Sequence, residues 1–158
     1  MASYMIYGYG DGGDILIDNN TVTNTRVGIA VLGIPAATIS NNKISQISWD
    51  GVQIDQKVVT INGISTTYFP DDCKVMNNCV SDFGKTVAYS SGVYLNNCQR
   101  TEVSLNVIDG NNNANAVYGI GESGTADYSV IDGNVISKVQ HSIVTVGTHT
   151  TAKDNALQ

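Results

Sequence analysis

A chain of 158 residues is long enough for one domain with a sizeable core and too short for two of ordinary size. Only 14% of the residues are charged and sixteen are Gly, a balance that excludes long amphipathic helices and favours strands joined by polar turns. A net charge of −6 with eight Lys and Arg excludes the clustered basic face that nucleic acid or an anionic membrane requires, and no apolar run is long enough for a membrane span or signal-peptide core.

Along the chain, Met1-Ala2-Ser3 reads as an artificial start, and one domain is expected over residues 4–158. Tyr4-Met5-Ile6-Tyr7 reads as the second strand of a repeat whose first half is missing. Asn20 then opens a column continued by Asn42, Asn78, Asn106, Asn134 and Asn155. Two places after each stands an apolar residue: Val22, Ile44, Val80, Ile108, Ile136 and Leu157. Three places before each stands a second aliphatic column: Ile17, Ile39, Val75, Val103, Ile131 and Ala152. A further strand follows, marked Gly28-Ile29, Gly51-Val52, Gly92-Val93, Gly119-Ile120 and Ser142-Ile143. The shortest repeat, Asn20 to Asn42, is 22 residues.

Constant strands with turns of varying length are the mark of a solenoid, because each coil touches only its neighbours and can grow loops without disturbing the stack. Coils of this length, with short strands and polar turns, predict an all-β, right-handed parallel β-helix of about five full coils with partial coils at both ends. Stacked at about 4.8 Å, like residues lie over one another, so the inside becomes an Ile/Val stack and the Asn column a hydrogen-bonded ladder. The doublets Asn19-Asn20, Asn41-Asn42 and Asn77-Asn78 suit a turn in which the ladder Asn adopts the left-handed conformation. Two incomplete ends and outward apolar residues such as Leu16, Met76 and Val130 predict a piece of a larger protein that self-associates.

The register places chemistry-bearing residues in columns. Asp14, Ala36, Asp72, Arg100, Tyr128 and His149 share one, with Asp72 beside Arg100 as an ion pair. Lys74 beside Glu102 and Asp132 beside Lys153 are read the same way. The column before the Gly mark holds Val27, Asp50, Ser91, Tyr118 and His141, a set suited either to proton transfer or to a structural ladder. Cys73, Cys79 and Cys98 are odd in number and lack zinc spacing, so buried or half-buried thiols are expected, with neither a metal nor a cofactor. Trp49, Tyr68, Phe69 and Phe83 lie near insertions, and Tyr94 should point outward between Val93 and Leu95. Exposed rings suit the C–H faces of sugars, which makes Trp49, Tyr68, Phe69 and Tyr94 the carbohydrate-binding candidates. The longest insertion, from about Asp55 to Asp72, is expected to be anchored by Val58, Val59, Ile61 and Ile64, with ligand contacts along its face together with Trp49 and Tyr94.

The repeat, aliphatic-x-x-Asn-x-aliphatic followed by Gly-aliphatic over residues 14 to 157, resembles that of the pectate-lyase-like superfamily. The resemblance implies a parallel β-helix; its members include polysaccharide lyases, glycoside hydrolases, epimerases, phage tail spikes and adhesive surface proteins. Asp71-Asp72-Cys73 is similar to the Asp-Asp-Cys stretch of polygalacturonases, whose aspartates activate water and protonate the leaving group, but that family's Asn-Thr-Asp, Gly-His-Gly and Arg-Ile-Lys motifs are absent. Asp50, Asp71 and Asp72 are therefore the catalytic candidates if the protein is a glycoside hydrolase or polysaccharide lyase. The first expectation is a tail-spike-like module, extracellular or on a virion surface, that recognises or degrades bacterial polysaccharide. The resemblance implies a homotrimer for it. A monomeric lyase or hydrolase fragment and a structural shaft without ligand are the alternatives.

Overall fold

In the computed structural model the described residues are 4–7, as a backbone path, and 13–158. Met1-Ala2-Ser3 lie outside them. Three six-stranded sheets run the length of the molecule. The first contains Tyr4–Tyr7, Ile29–Leu32, Val52–Asp55, Ser90–Asn96, Ala116–Ser123 and His141–Val144. The second contains Leu16–Asp18, Thr38–Ser40, Lys74–Met76, Glu102–Ser104, Val130–Asp132 and Thr151–Lys153. The third contains Thr21–Thr23, Lys43–Ser45, Cys79–Ser81, Val107–Asp109, Val135–Ser137 and Ala156–Leu157. Every pairing within these sheets is parallel and joins one coil to the next, so the fold is the parallel β-helix that the columns predict.

The predicted register holds. Ile17, Ile39, Val75, Val103, Ile131 and Ala152 are Cα partners in succession, as are Val22, Ile44, Val80, Ile108, Ile136 and Leu157. Ile29, Val52, Val93, Ile120 and Ile143 form the third inward column. Val80, Ile108 and their neighbours in the middle coils are fully buried. Glycine recurs beside that third column because a Cβ on Gly28, Gly51, Gly92 or Gly119 would collide with the inward side chain of Ile44, Val80, Ile108 or Ile136 respectively. The corner closes only where the residue has no side chain.

The asparagine ladder is complete from Asn20 to Asn155. The backbone N and Nδ2 of Asn42 both donate to Oδ1 of Asn78 at 3.0 Å, while Nδ2 also donates back to the carbonyl of Ile17 at 2.9 Å. The same arrangement recurs between Asn78 and Asn106, and between Asn106 and Asn134. The left-handed residue is the one before the ladder position: Asn19, Asn41, Asn77, Leu105, Gly133 and Asp154 have φ between 51° and 64°. This corrects the expectation that the ladder Asn makes the turn. The preceding residue reverses the chain, which sends the Asn side chain inward to partners above and below.

Other expectations divide. Asp132 and Lys153 form an ion pair at 3.7 Å. Lys74 and Glu102 are register partners, but Glu102 accepts instead from the Ser104 hydroxyl at 2.9 Å. Cys73 and Cys98 are buried; Cys79, on the outward side of its strand, is exposed. Phe83 is wholly buried in the core and is no surface aromatic. The long insertion forms an antiparallel hairpin, Lys57–Ile61 with Ile64–Tyr68. Val58, Ile61 and Ile64 are 49%, 66% and 73% exposed, so they do not anchor it on the solenoid. Five-residue strands with a two-residue turn at Asn62-Gly63 satisfy the backbone locally and leave these side chains outside the core.

Two stability predictions follow from the stack. Val80→Asp places an unpaired charge among aliphatic groups and should lower stability by about 4 kcal/mol or more, whereas Lys43→Ala, on the exposed side of the same sheet, should leave the thermal midpoint nearly unchanged. Asn106→Ala strips the acceptor from both donors of Asn78 and should cost about 3 kcal/mol, read by chemical denaturation.

Candidate functional site

The strands of the first sheet carry a cavity of about 330 Å³ on their outer side, lined by Trp49, Asp50, Ser91, Tyr94, Tyr118 and Gly121 among others. The register explains why these residues meet. Asp50, Ser91 and Tyr118 occupy one position on successive coils, since Gly51 N donates to the Ser91 carbonyl and Ser91 is the Cα partner of Tyr118. Tyr94 and Gly121 are partners one step outward of the third aliphatic column. At Gly121 the missing side chain leaves an opening: a Cβ there would stand 3.3 Å from Ser91 Oγ and 3.5 Å from Tyr118 Cβ.

The outer wall comes from the shorter insertion after Cys79–Ser81. Gly84 N donates to the Trp49 carbonyl at 3.1 Å, and Thr86 and Val87 N both donate to the Ser48 carbonyl. These bonds bring Val87, Ala88 and Tyr89 to the cavity. Tyr89 has φ 59° and is 74% exposed. Left-handed backbone and solvent-exposed aromatic surface both count against a tyrosine, a combination that clusters at functional sites.

Asp50 is 1% exposed. Its Oδ1 accepts from Ser91 N at 2.7 Å; its other oxygen has no hydrogen bond among the described residues. Burial pushes its carboxyl from an ordinary 3.8 up to about 7, against the opposing effect of the Ser91 N–H and with a smaller push from Asp55. Ser91 Oγ is buried without a partner among the described residues. A buried carboxyl poised near neutrality beside a free hydroxyl can donate or accept a proton, or bind hydroxyls. Above them Tyr118 stacks on His141 with centroids 5.8 Å apart, and the Arg26 guanidinium stands 5.3 Å from the centre of the Trp49 ring.

Of the carbohydrate-binding candidates, Trp49 and Tyr94 line this cavity, whereas Tyr68 and Phe69 lie at the end of the hairpin and do not. Of the catalytic candidates, Asp50 lines it and Asp71 and Asp72 do not. Arg100 binds both oxygens of Asp72, at 2.7 and 2.8 Å, and Asp71 at 3.4 Å. That guanidinium holds the Asp72 carboxyl below the usual carboxylate range, and Asp71 also accepts from Gln99 N at 2.9 Å. Asp71 and Asp72 are thus taken up in a surface ion-pair cluster with Arg100. Burial pushes the thiols of Cys73 and Cys98 up to about 11 and 12, so neither is a ready nucleophile. No group of three or more His, Cys, Asp or Glu suited to a metal exists among the described residues.

Glu122 also borders the cavity and escaped the sequence reading. It stands in register with Leu95 and Ile54, an inward position, and is buried. Its carboxylate accepts from the Thr150 hydroxyl at 2.9 Å and from Val146 and Gly147 N at 3.3 Å, which fastens the turn beyond the first sheet. A carboxylate in the column of Ile54 and Leu95 is the signal that would have found it.

Two solved structures share this architecture. The A-module of Azotobacter vinelandii mannuronan C-5 epimerase AlgE6 superposes with a TM-score of 0.76 at 21% identity, over 94% of this chain and 40% of its own. The A-module of Azotobacter vinelandii mannuronan C-5 epimerase AlgE4 superposes with a TM-score of 0.69 at 18% identity, over 90% and 46%. At these identities the likeness establishes the fold alone, a parallel β-helix. The chain spans less than half the length of either. No curated protein sequence matches the chain. The model of the right-handed beta helix region matches residues 4–157, and the chain belongs to that family.

Proposed function

We propose that this β-helix is a polysaccharide-recognising module and that the cavity between Trp49, Tyr89, Tyr94 and Tyr118 is where a sugar unit of the polymer sits. The observation that carries this reading is the combination in one place of aromatic walls and a buried, half-satisfied carboxyl at Asp50. Rings supply flat apolar surface for the C–H face of a pyranose, and Asp50 with Ser91 supplies directional bonds to its hydroxyls. That the two superposed structures are named as enzymes of mannuronan is in keeping with a polymeric sugar as partner. In this reading the module is part of an extracellular or virion-surface protein of tail-spike type that associates as a trimer, with the exposed Leu16 and Val130 among the apolar residues available for contact.

The state of Asp50 favours a second reading, in which the bound glycan is also chemically altered. A carboxyl near 7 is matched to proton transfer at neutral pH, as a donor to a leaving oxygen or as an acceptor from the sugar. Cleavage and proton abstraction are distinguished by whether new reducing ends appear.

On a glycan array the parent protein should bind a defined set of bacterial polysaccharides, and Trp49→Ala and Tyr94→Ala should each weaken that binding about tenfold or more. Equal binding by both variants would remove the cavity from the account. Under the second reading, Asp50→Asn should abolish turnover while binding persists.

The protonation of Asp50 has its own check. The folded protein keeps this proton up to about 7 while the unfolded chain releases it near 3.8, so stability declines as pH rises through that window. Asp50→Asn keeps an oxygen for Ser91 N and has no charge to bury. Its thermal midpoint should gain on the parent between about pH 4 and pH 7. A difference that stays constant across the window would show that Asp50 is not held protonated.

A further inference from the structure

The charge of the cavity lining bears on which sugars it can take, given the saccharide reading above. None of the lining residues is Lys or Arg, and both ionisable carboxyls there, Asp50 and Glu122, are acidic groups of low exposure. Arg26 does not line the cavity; its exposed guanidinium is engaged over the Trp49 ring. The chain as a whole carries −6. A sugar carboxylate seated against Asp50 would leave water with no cation lining the cavity to offset its charge, and above about pH 7, where Asp50 is ionised, it would also meet a like charge where water is scarce. Hydroxyl groups face no such opposition. The free oxygen of Asp50 donates when protonated and accepts when ionised, and the unpartnered Ser91 hydroxyl is both donor and acceptor, so together they complement adjacent hydroxyls of an uncharged ring in either state.

We propose that the cavity selects an uncharged hexose unit and discriminates against uronates, which separates this module from the two superposed structures, whose named polymer, mannuronan, is a chain of uronate residues. Asp50 is the specificity-determining residue, by repulsion of the wrong ligand as much as by attraction of the right one. Its pairing with Ser91 N fixes one oxygen and aims the discrimination through the other.

The test uses oligosaccharide pairs that differ only at C6, CH2OH against carboxylate: mannose, glucose and galactose oligomers and the corresponding uronate oligomers, titrated calorimetrically at low salt and at about pH 8, where Asp50 is ionised. The expected result is that the neutral member of the bound pair is tighter by about tenfold or more. Asp50→Asn should narrow that ratio. Gly121→Ala, which sets a methyl group in the cavity 3.3 Å from Ser91 Oγ, should weaken both members. A uronate that binds as tightly as its neutral counterpart, with binding lost in Trp49→Ala, would overturn the discrimination and leave the saccharide site standing. If no member of either series binds, or if binding is indifferent to Trp49→Ala and Gly121→Ala, the saccharide reading of the cavity falls and this inference with it.

Discussion

A buried asparagine carries two donors and an acceptor that must all be satisfied, and here each is satisfied by a neighbouring coil. Oδ1 of Asn106 takes both the backbone N–H and the side-chain N–H of Asn78, and Nδ2 of Asn106 reaches back to the carbonyl of Val75. A slip of one coil against the next would therefore strand several buried polar groups at once, each unmade bond costing about 1–3 kcal/mol. Aliphatic columns alone would tolerate more sliding, because burial of apolar surface is not directional. The ladder supplies the direction, and the Val and Ile columns supply the bulk of the driving force.

The site follows from that register. Asp50, Ser91 and Tyr118 are neighbours only because successive coils superpose position on position, and the space over them opens because Gly121 stands opposite Tyr94. The solenoid then adds a wall without altering its strands: the insertion that carries Val87 to Tyr89 is tied to the backbone of Ser48 and Trp49 and leaves the flanking columns in step. A rigid floor with an added wall is the usual division of labour between scaffold and loop.

The three inward columns and the ladder were legible in the sequence because they repeat, and a repeat of six members outweighs the ambiguity of any one short strand. What does not repeat was harder to read. Phe83 sits in an insertion, where no column says which way a side chain points, and it is buried. The apolar residues of the hairpin suggested anchoring, yet Ile61 and Ile64 flank its tight turn and face solvent. Half of the site was visible as the polar column through Asp50 and as the outward Tyr94. The other half, Tyr89 with the wall it belongs to, depends on where an irregular loop lands, and its left-handed φ has no sequence signature in a tyrosine. Asp71 and Asp72 resembled a catalytic pair in sequence; in space their guanidinium partner, Arg100, occupies them.

A ligand site on such a scaffold is best located residue by residue, and at 16.7 kDa the chain is within reach of amide-resolved NMR. The most direct measurement is a titration of the labelled protein with a bound oligosaccharide, following the Ser91 amide, whose hydrogen rests on Asp50, and the Trp49 indole. The account predicts that these two signals shift together with Tyr94 and Gly121 and saturate at one concentration. Shifts confined to the hairpin around Tyr68 and Phe69, with Ser91 and Trp49 unmoved, would contradict it.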